Sequence, residues 1–392
     1  MALSNIGTWA QRIAQDWLVL DLSHNDATTL GFVTALQFLP SLLLSIWGGR
    51  LADRFDKRKL MLLTNFGGGL GSALLGALVL GNVVHLWHVY ALAFAVGVFS
   101  AVDAPIRIAF NSELVGKDDL PNAVTLNSAN FNLGRLIGPA TSGAMIAAFG
   151  TGLSFIVNAL SYVAVLISLS LVRKSDLHIN HKRDRQATMA DAWAYVKARR
   201  DIQFIMATVF FATTFGLNFQ IFNALMAKNE FHIGPAQFGA LGTFLAIGSL
   251  SGALLSRRLE HRRLPKNIML GAMVFGVSVA ICGFAPNYVA LAIILPFCGA
   301  IALLTLISAN TYVQTTTDPK LRGRVMGIYL MIFMGGTPLG SPAIGWCAAQ
   351  FGVRPTIVVC GLISALGAAT LLSRSKNLQA AKPLEPTCFS LS

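Results

Sequence analysis

The sequence predicts an all-α integral membrane protein: twelve transmembrane helices in two pseudo-symmetric six-helix bundles. Three observations predict it. The 392 residues are 54% hydrophobic and only 12% charged, whereas a soluble domain carries about 25% charged residues. Apolar runs of about 20 residues recur along the chain, each enough to cross roughly 30 Å of hydrocarbon. Two patterns also repeat at nearly one offset. Gly134, Gly138, Gly143, Phe149 and Gly150 return 202 residues later as Gly336, Gly340, Gly345, Phe351 and Gly352, with Pro342 near the place of Pro139. Gly49-x-x-x-Asp53-Arg54 returns 203 residues later as Gly252-x-x-x-Ser256-Arg257. Such self-similarity marks two copies of a unit of about 200 residues.

The spans fall near 2–20, 28–50, 60–80, 87–110, 122–148, 153–172, 203–227, 235–256, 267–285, 288–312, 325–349 and 354–373. They give an N-terminal bundle over 1–172, a linker over 173–202, a C-terminal bundle over 203–373 and a tail over 374–392. The formal net charge of +13 follows these boundaries. Segments on the N-terminal side hold 26 Lys and Arg and the opposite segments two, Lys228 and Arg354, while Arg12 and Arg135 lie within spans. By the positive-inside rule both termini and the linker are cytoplasmic. The basicity is topology and not a nucleic-acid footprint.

Span one is the least apolar. Gln11, Arg12, Gln15 and Asp16 share one helical face, with Arg12 and Asp16 four apart and within reach of each other. An ionisable group at mid-bilayer costs about 2.5–3.5 kcal/mol on insertion scales and so faces a cavity or a partner. Two readings stand side by side: an ion pair that fixes packing, or an Asp16 that takes and gives a proton. No cationic start precedes this span, so no cleavable signal is expected. The span begins at the very N-terminus with no basic anchor ahead of it, as in a chain whose true start lies upstream of Met1.

Span two runs into Gly49-Arg50-Leu51-Ala52-Asp53-Arg54-Phe55-Asp56-Lys57-Arg58-Lys59. A tight glycine turn with a carboxylate and a basic cluster is expected there, clamping neighbouring helices. Gly67, Gly68, Gly69 and Gly71 in span three lack the Lys-Ser/Thr of a phosphate loop and indicate helix packing. Asp103 in span four either bridges to Arg54 as a latch or titrates; the latch is the expectation. In span five, Gly134, Gly138 and Gly143 leave a bare face for a close neighbour, Pro139 removes a helix donor, and Arg135 faces protein, with Asp16 a plausible partner. Asn127, Asn130 and Asn132 add a polar face to this span, lining a cavity or bonding helix to helix.

In the linker, Thr188-Met189-Ala190-Asp191 resembles a capping box, and Met189, Trp193 and Val196 follow at helical spacing. A helix on the membrane face is expected, a hinge or strut between the halves. The later spans have no charged residue inside their ends. That places proton chemistry in the first half and assigns the second half to shaping the cavity, with Phe215, Asn218, Phe219 and Phe222 as candidates beside Gln11, Gln15 and Asn130.

The five cysteines show no CxxC spacing and suggest no disulfide framework. His24, His85 and His88 fall on the outer side without a supporting carboxylate, so no metal is expected. No nucleophile–base set or cofactor motif appears, which argues against an enzyme.

These residues carry a resemblance. The 49–59 loop resembles the signature of the major facilitator superfamily, Gly-x-x-x-Asp-Arg-x-Gly-Arg-Arg/Lys, matched by Gly49, Asp53, Arg54, Lys57 and Arg58, with Asp56 at the second glycine. Gly134, Gly138, Pro139 and Gly143 resemble the span-five motif Gly-x-x-x-Gly-Pro-x-x-Gly-Gly, which in that superfamily marks exporters. Asp103-Ala-Pro-Ile-Arg107, Leu120-Pro-Asn-Ala123 and Arg322-Gly-Arg-Val-Met-Gly327 resemble the branch holding the enterobactin exporter and macrolide-efflux proteins. The resemblance implies a membrane-embedded monomer that exports a small amphipathic molecule, drug or siderophore-like, against inward proton flow by alternating access. Proton coupling would involve Asp16, Arg12, Arg135 and Asp103. It also implies a bacterial cytoplasmic membrane and no cofactor. A facilitator or importer of the same fold, and a non-transporting lipid scramblase or sensor, are the alternatives.

Overall fold

The structure, a computed structural model, describes residues 2–115, 119–173, 189–259 and 264–375. Fourteen α-helices and no strand occur among them. The first half holds α1 (Ala2–Leu22), α2 (Ala27–Arg54), α3 (Lys57–Leu80), α4 (Leu86–Val115), α5 (Leu120–Phe149) and α6 (Thr151–Leu171). A short α7 (Met189–Ala198) precedes the second half: α8 (Arg200–Phe211), α9 (Phe219–Leu225), α10 (Pro235–Arg258), α11 (Pro265–Gly283), α12 (Tyr288–Thr316), α13 (Arg322–Phe351) and α14 (Val353–Arg374). Ten candidate spans among the described residues are long and apolar enough to cross a membrane by themselves. Helices α1 and α5 have the length, but Gln11, Arg12, Gln15 and Asp16 in one and the asparagines and Arg135 in the other lower their hydropathy. They complete the set of twelve.

Expected span seven is not one helix. It is α8, a π turn over Ala212–Gly216, α9 and a second π turn over Met226–Glu230. Asn218 sits at the break and donates from Nδ2 to the Thr214 carbonyl at 2.8 Å, satisfying backbone that the wider turn frees.

Local chemistry sets the other boundaries. Pro121, Pro235 and Pro265 stand in the first turns of α5, α10 and α11, where their missing N–H costs nothing. Gly150 (φ 77°) and Gly352 (φ 90°) make the corners α5–α6 and α13–α14, in a left-handed region that explains the repeated Phe-Gly pair. Asp26 caps α2, accepting from the Thr28 N–H at 3.1 Å and the Thr29 N–H at 2.8 Å. Partial burial pushes its carboxyl up, but the bonds from Thr29 and Thr28 more than offset this and hold it below the usual carboxylate range. Asp26→Ala is expected to cost about 1 kcal/mol. Because the folded value is the lower one, the cap's contribution is present above the ordinary range near pH 4 and is lost as pH falls through the depressed value. Thermal midpoints of wild type and variant should therefore converge in acid.

The two halves pack alike. Gly97 of α4 backs onto the Gln37 carbonyl of α2, as Gly299 of α12 backs onto the Leu245 carbonyl of α10. The span-three glycines serve packing: Gly67 meets Phe99, and Gly68 and Gly69 meet Tyr162.

The 49–59 segment corrects one expectation. No glycine turn occurs at Gly49, because α2 continues to Arg54 and a Cβ on Gly49 would meet nothing within 4 Å. The close approach belongs to Gly48, where a Cβ would lie 2.8 Å from Pro105 of α4. Asp56, at the position where the signature has glycine, is the N-cap of α3 and accepts from the Lys59 N–H. Gly49→Ala is expected to be neutral or to stabilise by about 0.5–1 kcal/mol. Gly48→Ala should destabilise by roughly 1–3 kcal/mol. Thermal unfolding in detergent checks both.

Candidate functional site

A cavity of about 430 Å³ lies in the first half, lined by all six of its helices. Ser4, Asn5, Thr8, Gln11, Arg12 and Gln15 come from α1, and among the described residues of the second half only Met334 of α13 reaches it. Asn127 of α5 lines it, whereas Asn130 does not.

Glycines carry the close contacts of α5 and α13. In α5, Gly134 and Gly138 face α1, where a Cβ would lie 2.8 Å from the Asn5 backbone and 2.6 Å from Trp9. Gly143 instead crosses to α10, where a Cβ would lie 2.5 Å from the Pro235 carbonyl and 3.1 Å from the Gly239 Cα. Helix α13 repeats the arrangement: Gly336 and Gly340 face Thr213 and Thr214 of the π turn, and Gly345 crosses to Ala27 and Gly31 of α2. Two Gly–Gly crossings thus join the halves. Ser142 ties α5 to the Ala10 carbonyl at 2.7 Å, and Thr243 of α10 donates to the Leu136 carbonyl at 3.0 Å, next to the carbonyl whose helix donor Pro139 lacks. Polar contacts also join the halves. Lys228 pairs with Asp21 across the halves and lies 4.7 Å over the Trp17 ring, and Asn229 donates to the Asn25 carbonyl at 3.1 Å. Arg354 likewise pairs with Glu230, at 2.6 Å.

The ionisable groups depart from the expected pairings. Asp103 is paired with Arg107 at 2.6 Å and accepts from Thr64 at 2.7 Å and Asn65 at 2.9 Å. It does not bridge to Arg54, which is exposed. The cross-helix latch is made instead by Lys57 with Glu113 at 2.7 Å and by Arg58, which donates to the Leu169 and Ser170 carbonyls at the end of α6. The side chain of Asp53 lies outside the described residues.

Asp16 is fully buried, and neither carboxylate oxygen has a hydrogen-bond partner among the described residues. Arg12, one turn earlier, makes no direct ion pair with Asp16 and lies over two rings, 4.9 Å from Trp9 and 5.0 Å from Phe38. Arg135 also approaches Trp9, at 6.0 Å, so the expected Asp16–Arg135 pair is absent as well. From the other half, the Gln220 amide of α9 approaches the Asp16 carboxyl without closing a well-formed hydrogen bond.

Gln11 and Gln15 border the cavity as expected, and Gln11 accepts from Ser72 at 2.7 Å. Phe215, Asn218, Phe219 and Phe222 do not border it. Asn218, Phe219 and Phe222 are buried in the core that also holds Trp17 and Phe238, and Phe215 packs against that core. Thr64, Asn65, Gln37 and Asn158 line the cavity without having been singled out. Their signal was legible, since isolated polar side chains in apolar spans face protein or water.

The shape of the chain agrees with that of a bacterial homologue of the lysosomal transporter Spinster, solved inward-facing and unoccupied, with a TM-score of 0.73, 13% identity and 95% of each chain covered. Residues 1–387 match the major facilitator family described as transmembrane secretion effector. The chain belongs to that family. It is a multi-pass membrane transporter and not an enzyme. Among relatives of this transporter, the staphyloferrin A transporter of Staphylococcus aureus (strain NCTC 8325 / PS 47) is 28% identical, over 91% of this chain and 90% of its own. The enterobactin exporter EntS of Salmonella typhi is 24% identical, over 82% and 76%.

Of the remaining expectations, Met189, Trp193 and Val196 do lie on one helix, α7, tied to the second half through Tyr195 and Arg199, which donate to the Thr316 carbonyl. Thr188 of the proposed capping box is outside the described residues. Cys282, Cys298, Cys347 and Cys360 are free thiols.

Proposed function

We propose that this transporter exports small amphipathic molecules, drug or siderophore-like, across a bacterial cytoplasmic membrane in exchange for protons. Both termini face the cytoplasm, and a single chain works by rocking 1–172 against 203–373. The observation that carries the reading is Asp16: a fully buried carboxyl group with no ion pair and no well-formed hydrogen bond among the described residues, next to the cavity-lining Gln15 and approached from the other half by the Gln220 amide. Burying a charge without a partner costs several kcal/mol. Such a group holds a proton while sealed and releases it when movement of the halves brings water to it. Asp103 is already compensated by Arg107 and serves the cavity wall.

Two further features support the direction. Gly143, the last glycine of the span-five motif that marks exporters, makes one of the two crossings between the halves, and a relative is named an exporter. The basic latch of Lys57 and Arg58, with Asp53 and Arg54 beside it in sequence, is the gate at the cytoplasmic end.

The test is transport into everted membrane vesicles. Acidifying the lumen should drive a siderophore or amphipathic drug inward only when the protein is present, and a protonophore should stop it. Equilibration without accumulation, or flow indifferent to the pH gradient, would sink the proposal.

A further inference from the structure

The cavity holds a cation that no carboxylate among the described residues contacts directly. Its charged lining residues are Arg12, Arg107 and Asp103. Asp103 takes up Arg107 through both Nε, at 2.9 Å, and Nη2, at 2.6 Å. Arg12 has neither a hydrogen bond nor a direct ion pair among the described residues; its guanidinium lies on the Trp9 and Phe38 rings and feels Asp16 and Tyr162 only at longer range. The rings hold its plane while leaving its donors unused. Around it the lining is short of acceptor charge: Asn5, Gln11, Gln15 and Gln37 contribute amides, and no further carboxylate among the described residues borders the space. A guanidinium carries five N–H donors in a planar fork that fits a carboxylate bidentately. Aromatic faces orient it without consuming those donors.

We infer that Arg12 is the receptor for an oxyanion of the cargo, and that the transported molecule is an organic anion bearing a carboxylate, not a lipophilic cation. This rests on reading the cavity as the substrate site. It assigns Arg12 to the cargo and leaves proton exchange to Asp16. It also gives the neighbouring ring a task, because Trp9 reports on what Arg12 holds. A second guanidinium, Arg135, lies against the same indole and reinforces the positive field.

The test uses the full chain in lipid nanodiscs and four probes that share one tail: octylsuccinate, its neutral diamide, octyl phosphate and octyltrimethylammonium, each below its micelle concentration. Octylsuccinate should change the tryptophan fluorescence saturably, and Trp9→Phe should remove the change. The diamide and the ammonium probe should bind at least tenfold more weakly. Arg12→Gln should weaken octylsuccinate at least tenfold while the thermal midpoint and gel-filtration profile stay as in wild type, and Arg12→Lys should recover part of the loss. Should Arg12→Gln not fold, Arg12→Lys carries the comparison, with an expected severalfold loss. Undiminished binding by the Arg12 variants, or tighter binding of the ammonium probe, overturns the inference. Tighter binding of octyl phosphate overturns the carboxylate assignment. Asp16→Asn should still bind octylsuccinate, so failure of proton coupling leaves this inference standing. Proton-driven transport of another compound without octylsuccinate binding defeats the inference alone.

Discussion

Replacing Asp16 by Asn is expected to abolish accumulation of substrate against a gradient while leaving the protein in the membrane. Asn keeps the volume and loses only the proton. One charge moved across about 150 mV yields about 3.5 kcal/mol, which sustains a gradient of roughly 300-fold. An uncoupled protein can only equilibrate, so the accumulated ratio should fall from hundreds to about one. The side chain is fully buried and accepts no hydrogen bond among the described residues. Its amide replacement puts a permanently neutral side chain of the same shape where the carboxyl must stay protonated to be buried, and stability should hold or rise. A structural carboxylate would behave in the opposite way, losing stability first. Parallel measurement of efflux and thermal midpoint separates the two.

The second large effect is expected at the crossings between the halves. A side chain on Gly143 would meet the Pro235 carbonyl at 2.5 Å and the Gly239 Cα at 3.1 Å. Both are backbone atoms, so neither can rotate aside. Gly143→Leu should wedge α5 from α10 and separate the Lys228–Asp21 pair with them. Cysteines placed at 21 and 228 should then cross-link at least tenfold more slowly than on the unwedged background, and transport should fall by at least the same factor. Gly345→Leu should repeat the effect through Gly31, because the two crossings are equivalent. Unchanged cross-linking in both variants would show that the contact between the halves does not depend on the glycines. Gly49→Ala serves as the control, being a glycine of similar motif standing that has open space around it.

The repeat was legible because glycine spacing encodes helix contact directly: the residues matched at an offset of 202 make equivalent contacts in the two halves. What spacing does not encode is direction. Arg12 and Asp16 are one turn apart and within reach, yet Arg12 is drawn onto Trp9 and Phe38. Which of two glycines packs was equally hidden, since Gly48 and Gly49 are neighbours pointing about 100° apart on a helix of 3.6 residues per turn. The second-half cavity candidates failed for a related reason. An aromatic stripe reads the same whether it borders a cavity or a core, and Phe219 and Phe222 are core. The break at Ala212–Gly216 carries no proline and was read as continuous helix; its cause lies in the Asn218 side chain and in the close approach of α13.

The most direct test of the account is proton release on substrate binding by the purified protein in weakly buffered solution, using a compound that the vesicle experiment identifies. The account predicts that binding to the wild type releases a proton and that binding to Asp16→Asn, at comparable occupancy, releases none. Equal release from both, or no release from either, would contradict it.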